Sequence, residues 1–243
     1  MKIIPVIDVL GGLAVHAVKG ERQNYKPIRS VLCSSANPLE VAKTFKSFGF
    51  SELYLADLDA IMGRGGNQGL YRRIKDETGL KLMVDSGAFD AQSAYESINA
   101  GADVAVIGTE TLKSLEALSN AVEALGSERL IVSFDLKGGR FISRSIEVAE
   151  LNPLQLAKRL EDIGISQIIL LDMDRIGTRC GVNLNLLKAL ISEARLKVMV
   201  GGGVSSLKEL HVIRDMGAYG VLLATALHYG VIRPEELKAS GLL

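Results

Sequence analysis

The chain has 243 residues, 48% of them hydrophobic, with 28 basic and 28 acidic side chains and a net charge of zero. That apolar content builds a large core, and the length is close to one eight-fold α/β barrel of about 250 residues. The balanced charge, without a basic stripe or an apolar run of bilayer-spanning length, argues against nucleic-acid or membrane binding.

In chain order, the first strand candidate is "IIPVID" (3–8), followed by a polar, irregular stretch over roughly 10–36 that reads as a mobile active-site loop. The start is too short an apolar run for a signal peptide and contains Asp8. A helical pattern, "PLEVAKTFKSFG", leads to the strand "LYLAD" (53–57), and "GRGGNQG" (63–69) resembles a flexible lid. "KLMVD" (81–85), the helix "AQSAYESINAG", "VAVIG" (104–108) and "LIVSFD" (130–135) come next. The helix "PLQLAKRLEDIG", the strands "IILLD" (168–172) and "KVMVG" (197–201), the helix "SLKELHVIRDMG" and the strand "GVLLA" (220–224) complete the series. Near-continuous apolar strands of this kind are buried on both faces of a parallel sheet. Each quoted helix ends in glycine, the expected stop. Cys33 and Cys180 lack metal or redox spacing and read as reduced thiols of a cytoplasmic protein.

An internal repeat favours a closed barrel over a doubly wound open sheet. "NPLEVAKTFKSFGFSELYLADLD" (37–59) returns 115 residues later as "NPLQLAKRLEDIGISQIILLDMD" (152–174), with ten of 23 positions identical. The following unit, 86–109, returns as 202–225, and "VIDVLGGLAV" around Asp8 matches "SFDLKGGRFI" around Asp135. The expected architecture is a single (β/α)8 TIM barrel over 1–243, with half-barrels of approximately 1–126 and 127–243.

The active site of such a barrel lies at the C-terminal ends of its strands. Five strands end in an acid there: Asp8, Asp57, Asp85, Asp135 and Asp172. Asp8 and Asp135 are symmetry mates before paired glycines and stand as candidate catalytic acid and base. Asp57 and Asp172 read equally well as functional groups or as helix caps and ion-pair partners. After the seventh and eighth strands, Gly202, Gly203, Ala224 and Thr225 supply amides for a phosphate cradle, the alternative being a plain helix cap by Ser205 or Ser206. The "DLD" and "DMD" pairs do not make a metal site, because alternate residues cannot be assumed to face one ion. No metal and no cofactor is expected.

Together "IPVIDVLGGLAVHAVKG", "DLD", "SFDLKGGRF", "DRIGT" and "GGGVSS" resemble the HisA/HisF family of histidine biosynthesis, with the isomerase branch the nearer likeness. The resemblance implies a half-barrel duplication, a ligand with a phosphate at each end, and a cofactor-free Amadori rearrangement of an aminosugar phosphate. Asp8 would be the base that moves the C2 proton, and Asp135 the acid that opens the ribose ring. By position it extends the binding set to Gly87, Gly108, Thr109, Arg140, Asp174, Gly177 and Thr178. The implied partner is a phosphorylated small molecule, not nucleic acid or membrane. A cyclase or lyase of the second branch, or a non-catalytic phosphate-metabolite binder, are the alternatives.

The chain departs from the family pattern in four places, one of them in the second cradle, where Ala224 and Thr225 replace the family's usual Gly-Arg or Gly-Lys. Where the family carries three glycines and Ile-Arg-Ser, it has "DSGAFD" (85–90), placing Asp85 and Asp90 near a dianion's position. Two unit charges about 5 Å apart at an effective dielectric near 20 repel by roughly 3 kcal/mol, so the first phosphate site is expected to be altered. Arg144 and Ser145 stand where the family has a covering Gly-Trp. Leu171 and Ile176-Gly177-Thr178 replace the sixth-strand Thr and Asp-Gly-Thr.

Overall fold

The computed structural model describes residues 1–243. Eight parallel strands form the barrel: β1 (Lys2–Leu10), β2 (Glu52–Asp57), β3 (Lys81–Asp85), β4 (Val104–Gly108), β5 (Leu130–Lys137), β6 (Gln167–Asp172), β7 (Lys197–Gly201) and β8 (Gly220–Leu223). Each pairs with the next, and β8 returns to β1 with Lys2 opposite Gly220 and Ile4 opposite Leu222, so the sheet closes. The crossovers carry α1 (Pro38–Ser47), α2 (Gln68–Thr78), α3 (Ala91–Asn99), α4 (Leu115–Leu125), α5 (Pro153–Ile163), α6 (Leu184–Glu193), α7 (Leu207–Asp215) and, after β8, α8 (Pro234–Ala239).

The repeated "NPL" starts helices for a physical reason. Asn37 accepts the amides of Leu39 and Glu40, and Asn152 accepts that of Gln155, with proline in the first turn of each helix. Gly164 ends α5 in the left-handed conformation.

Strand alternation sorts the side chains into two cores. Leu53 and Leu55 of β2, Ile168 and Leu170 of β6 and their counterparts pack against the helices in a cluster of 55 buried residues. Ile4, Tyr54, Met83, Val106, Ile131, Ile169, Met199 and Leu222 belong to a second cluster of 13 that fills the barrel interior. Continuing the inward parity to the strand ends brings Asp8, Asp85, Gly108, Asp135 and Leu171 to the mouth. Asp57 and Asp172 fall on the outward parity.

The stretch expected to be irregular is partly ordered. Leu13–His16 pairs antiparallel with the end of β1, and Lys26–Pro27 pairs with that strand in turn. Arg140–Phe141 makes the equivalent hairpin with β5. No helix is long and apolar enough to cross a membrane.

Candidate active site

A cavity of about 1020 Å³, counting its open mouth, occupies the C-terminal end of the barrel. Of the residues singled out in the sequence, Asp8, Asp135, Gly108, Gly177, Gly202, Gly203, Ala224 and Thr225 line it. Gly87, Thr109, Arg140, Asp174 and Thr178 lie outside the lining. Thr109 is fully buried, and its hydroxyl accepts the Asp135 amide at 3.0 Å. Thr178 donates to the Arg175 carbonyl at 2.7 Å. Asp174 accepts the Gly138 amide at 2.7 Å, as Asp59 accepts that of Gly11 at 2.8 Å. The second acid of each "DxD" therefore braces a paired-glycine hairpin. Arg140 is exposed on the second of these hairpins.

The outward-parity acids serve the framework. Asp57, fully buried, accepts from the amide of Asn67 at 2.6 Å, its side chain at 2.9 Å and the Tyr71 hydroxyl at 2.5 Å. The "GRGGNQG" stretch is thereby anchored at its Asn67. Asp172 holds the Asp174 amide and the Arg175 guanidinium.

Three inward acids share the cavity with an ion pair. The Arg22 guanidinium, from the first loop, grips Glu110 with both its terminal nitrogens, at 2.9 and 2.5 Å. Burial pushes the Asp8 carboxyl up to about 7; Arg22 pulls it down and Asp85 adds a further push upward. Burial likewise takes Asp135 up to about 7, with repulsion from Asp85 next, against hydrogen bonds from Ser133 and the Glu110 amide. Asp85 rises to about 6 through burial, held back by the Gly87 amide. Gly108 is what lets two of these acids approach. A Cβ there would lie 2.7 Å from Asp135 Oδ2 and 3.8 Å from Asp85 Oδ2.

The two half-barrels present their loop amides differently. In the second half, the amides of Gly202, Gly203, Ala224 and Thr225 donate to no group of the protein. Gly203 takes φ +88°, and a Cβ on it would sit 2.9 Å from two backbone carbonyls, so this turn is built for glycine. The cap reading also holds, because Ser206 accepts the Glu209 amide while Glu209 fixes the Ser205 amide. In the first half two of the corresponding donors are taken: Gly87 donates to Asp85 at 3.0 Å and Thr109 to the Ser133 carbonyl at 2.9 Å, and the neighbouring Glu110 amide donates to Asp135 at 3.4 Å.

Asp90 turns away from the cavity, which corrects the expectation that it shares the phosphate position with Asp85. It caps α3 through the Ser93 amide and pairs with Lys113 at 2.8 Å, and the Lys113 ammonium lies 3.9 Å from the centre of the Phe89 ring. Arg22, Glu110, Tyr25 and Tyr54 line the cavity without having been singled out in the sequence. For Tyr54 the signal was available in the inward parity of β2; Arg22 lies in a stretch with no periodicity to read.

The family model described as "Histidine biosynthesis protein" matches residues 2–233. The chain belongs to this histidine biosynthesis family. Within the family, it is 36% identical over 240 residues to an uncharacterized protein of Methanocaldococcus jannaschii, covering 98% of this chain and 97% of that one. It is 33% identical over 246 residues to a Streptococcus thermophilus protein named 1-(5-phosphoribosyl)-5-((5-phosphoribosylamino)methylideneamino) imidazole-4-carboxamide isomerase, covering 99% and 100% of the two chains. A Lactococcus lactis relative with the same name is 34% identical over 242 residues, with 97% and 98% covered. The family alignment thus spans both half-barrels and every cavity-lining residue.

Proposed function

We propose that this protein is an isomerase that converts a phosphorylated aminosugar from the aldose to the ketose form by acid–base catalysis. The substrate's phosphate sits on the free amides of Gly202, Gly203, Ala224 and Thr225, where backbone donors stand unspent. Asp135 protonates the ring oxygen and opens the sugar to the C1 imine. Asp8 removes the C2 proton, and the resulting enaminol takes a proton at C1 to leave the C2 ketone.

One observation carries the reading. Asp8 and Asp135 face one cavity and burial raises both to about 7, so near neutral pH one can be charged while the other holds its proton, as a base and an acid working at one pH require. Arg22 favours the charged form of Asp8, while Asp85 raises both acids. The relatives' printed name, an isomerase of a doubly phosphoribosylated imidazole carboxamide, supports the reaction class. The taken amides and the Asp85 carboxylate in the first half support a substrate with one phosphate instead of two.

The test is conversion of N-substituted 5-phosphoribosylamines to 1-amino-1-deoxyribulose phosphates by the purified protein, beside complementation of a strain lacking the histidine isomerase. The proposal expects turnover of the monophosphates and no growth. Unchanged turnover in Asp8→Asn and Asp135→Asn would remove the acid–base assignment. Phosphate-ligand binding without turnover would leave a binder.

A further inference from the structure

Repetition within the chain gives an internal control for its two anion cradles. Asp85 occupies the position of Gly201, Ser86 that of Gly202, Gly87 that of Gly203 and Glu110 that of Ala226. In the second half, the Gly203 amide is free; in the first, the Gly87 amide is held at 3.0 Å by Asp85 Oδ1. Asp85 is 9% exposed, accepts the Tyr54 hydroxyl at 3.4 Å through its other carboxylate oxygen, and lines the cavity. The chain supplies its own anion at the point where the symmetry-related loop leaves room for a bound one.

The cation at this end is spent. Arg22 is committed to Glu110 through two parallel hydrogen bonds, the geometry in which a guanidinium holds a carboxylate most firmly. Asp85 lines the cavity together with Asp8 and Asp135. A second phosphate at the Gly87 position would meet the Asp85 carboxylate. A protonated amine would meet hydrogen-bond acceptors and opposite charge in a partly desolvated pocket.

We propose that Asp85 is a specificity-determining residue, a built-in anion that fills the first-half cradle and selects a phosphomonoester whose far end carries a protonated amine. The inference rests on the reading of the second cradle as the phosphate seat. Arg22 and Glu110 support it by holding each other, which leaves Asp85 with no ion pair of its own while the nearby Arg22 charge still favours its ionised form.

The experiment is a calorimetric titration with three probes of matched chain length, taken over a graded series of lengths: an alkyl phosphate, the ω-aminoalkyl phosphate and the α,ω-bisphosphate. The wild-type protein at pH 8 is expected to bind the aminoalkyl phosphate about tenfold more tightly than the alkyl phosphate, with the bisphosphate weakest. The preference fades below about pH 6, where Asp85 takes up its proton. Asp85→Asn keeps the side-chain shape and is expected to abolish the amine preference and to lessen the penalty on the bisphosphate. The double variant Asp85→Gly/Glu110→Ala opens the cradle and frees Arg22, and is expected to make the bisphosphate the tightest of the three. Equal wild-type binding of alkyl and aminoalkyl phosphates at every length, or an undiminished amine preference in Asp85→Asn, would overturn the proposal. The phosphate seat is read separately by Gly203→Ala, which is expected to weaken all three probes alike. If it changes none of them, the second-cradle reading fails while the amine-to-alkyl ratio still reports on Asp85.

Discussion

Asp8 and Asp135 are chemically the same side chain, both placed by strand parity facing the cavity, and their neighbours differ. Replacing either with Asn keeps the shape and removes the titrating proton; each change is expected to lower turnover of the aminosugar phosphate by about 10²–10⁴ at pH 7, measured as initial rates. The pH profile follows from the same neighbours. With both groups near 7, the rate is expected to peak near pH 7. In Asp85→Asn the repulsion that raises both Asp135 and Asp8 is gone, so both limbs of the profile are expected to move to lower pH. Both catalytic candidates were legible as acids closing apolar strands before paired glycines. The sequence also offered five such acids, and parity separates them. Extending the inward face of Tyr54 and Met83 to the strand ends selects Asp85 and rejects Asp57. The spending of Asp90 on a cap was equally available in principle, since Asp90 stands three residues before Ser93 at a helix start.

The first loop is the element on which the pocket depends. It reaches across the mouth, with the Lys19 amide donating to the Ile176 carbonyl at 3.0 Å and Arg22 gripping Glu110 on the far side. His228 holds its base by a 2.9 Å contact with Ser30. Gly177 is the pivot of this docking. It has φ +74°, and a Cβ would come 2.4 Å from the Ala17 carbonyl. Gly177→Ala is expected to displace the loop at a cost of about 1–3 kcal/mol, seen as faster proteolysis at Lys19 and Arg22 and faster amide exchange over residues 13–27. The strands and the "NPL" helices were readable because periodicity and caps are local. This loop was not, because its order comes from long-range contacts. Its polar composition describes a surface segment and carries no information about Glu110, 88 residues away.

At the scale of the whole molecule, the acids that equip the cavity work against the fold. Asp8, Asp85 and Asp135 hold their protons more tightly in the folded barrel than the ordinary carboxylate value near 3.8 allows in the unfolded chain. Between about pH 4 and 7 the folded state therefore binds more protons, and stability falls as pH rises through that window. Their removal should restore it. Asp85→Asn is expected to raise the melting temperature at pH 8 and to change it little at pH 4, a difference that thermal unfolding at the two pH values reads directly. The barrel itself was legible from two alternating quartets of strands and a 115-residue repeat, because core patterning is set by many residues at once. The difference between the two cradles was visible only as sequence divergence, until the hydrogen bonds of Gly87 and Gly203 gave it a physical meaning. The most direct test of the account is the isomerisation of an N-substituted 5-phosphoribosylamine in deuterium oxide, followed by proton NMR. It predicts loss of the C2 proton and deuterium at C1 of the ketose product with the wild-type protein, and neither with Asp8→Asn. Product formed at the wild-type rate by Asp8→Asn would contradict it.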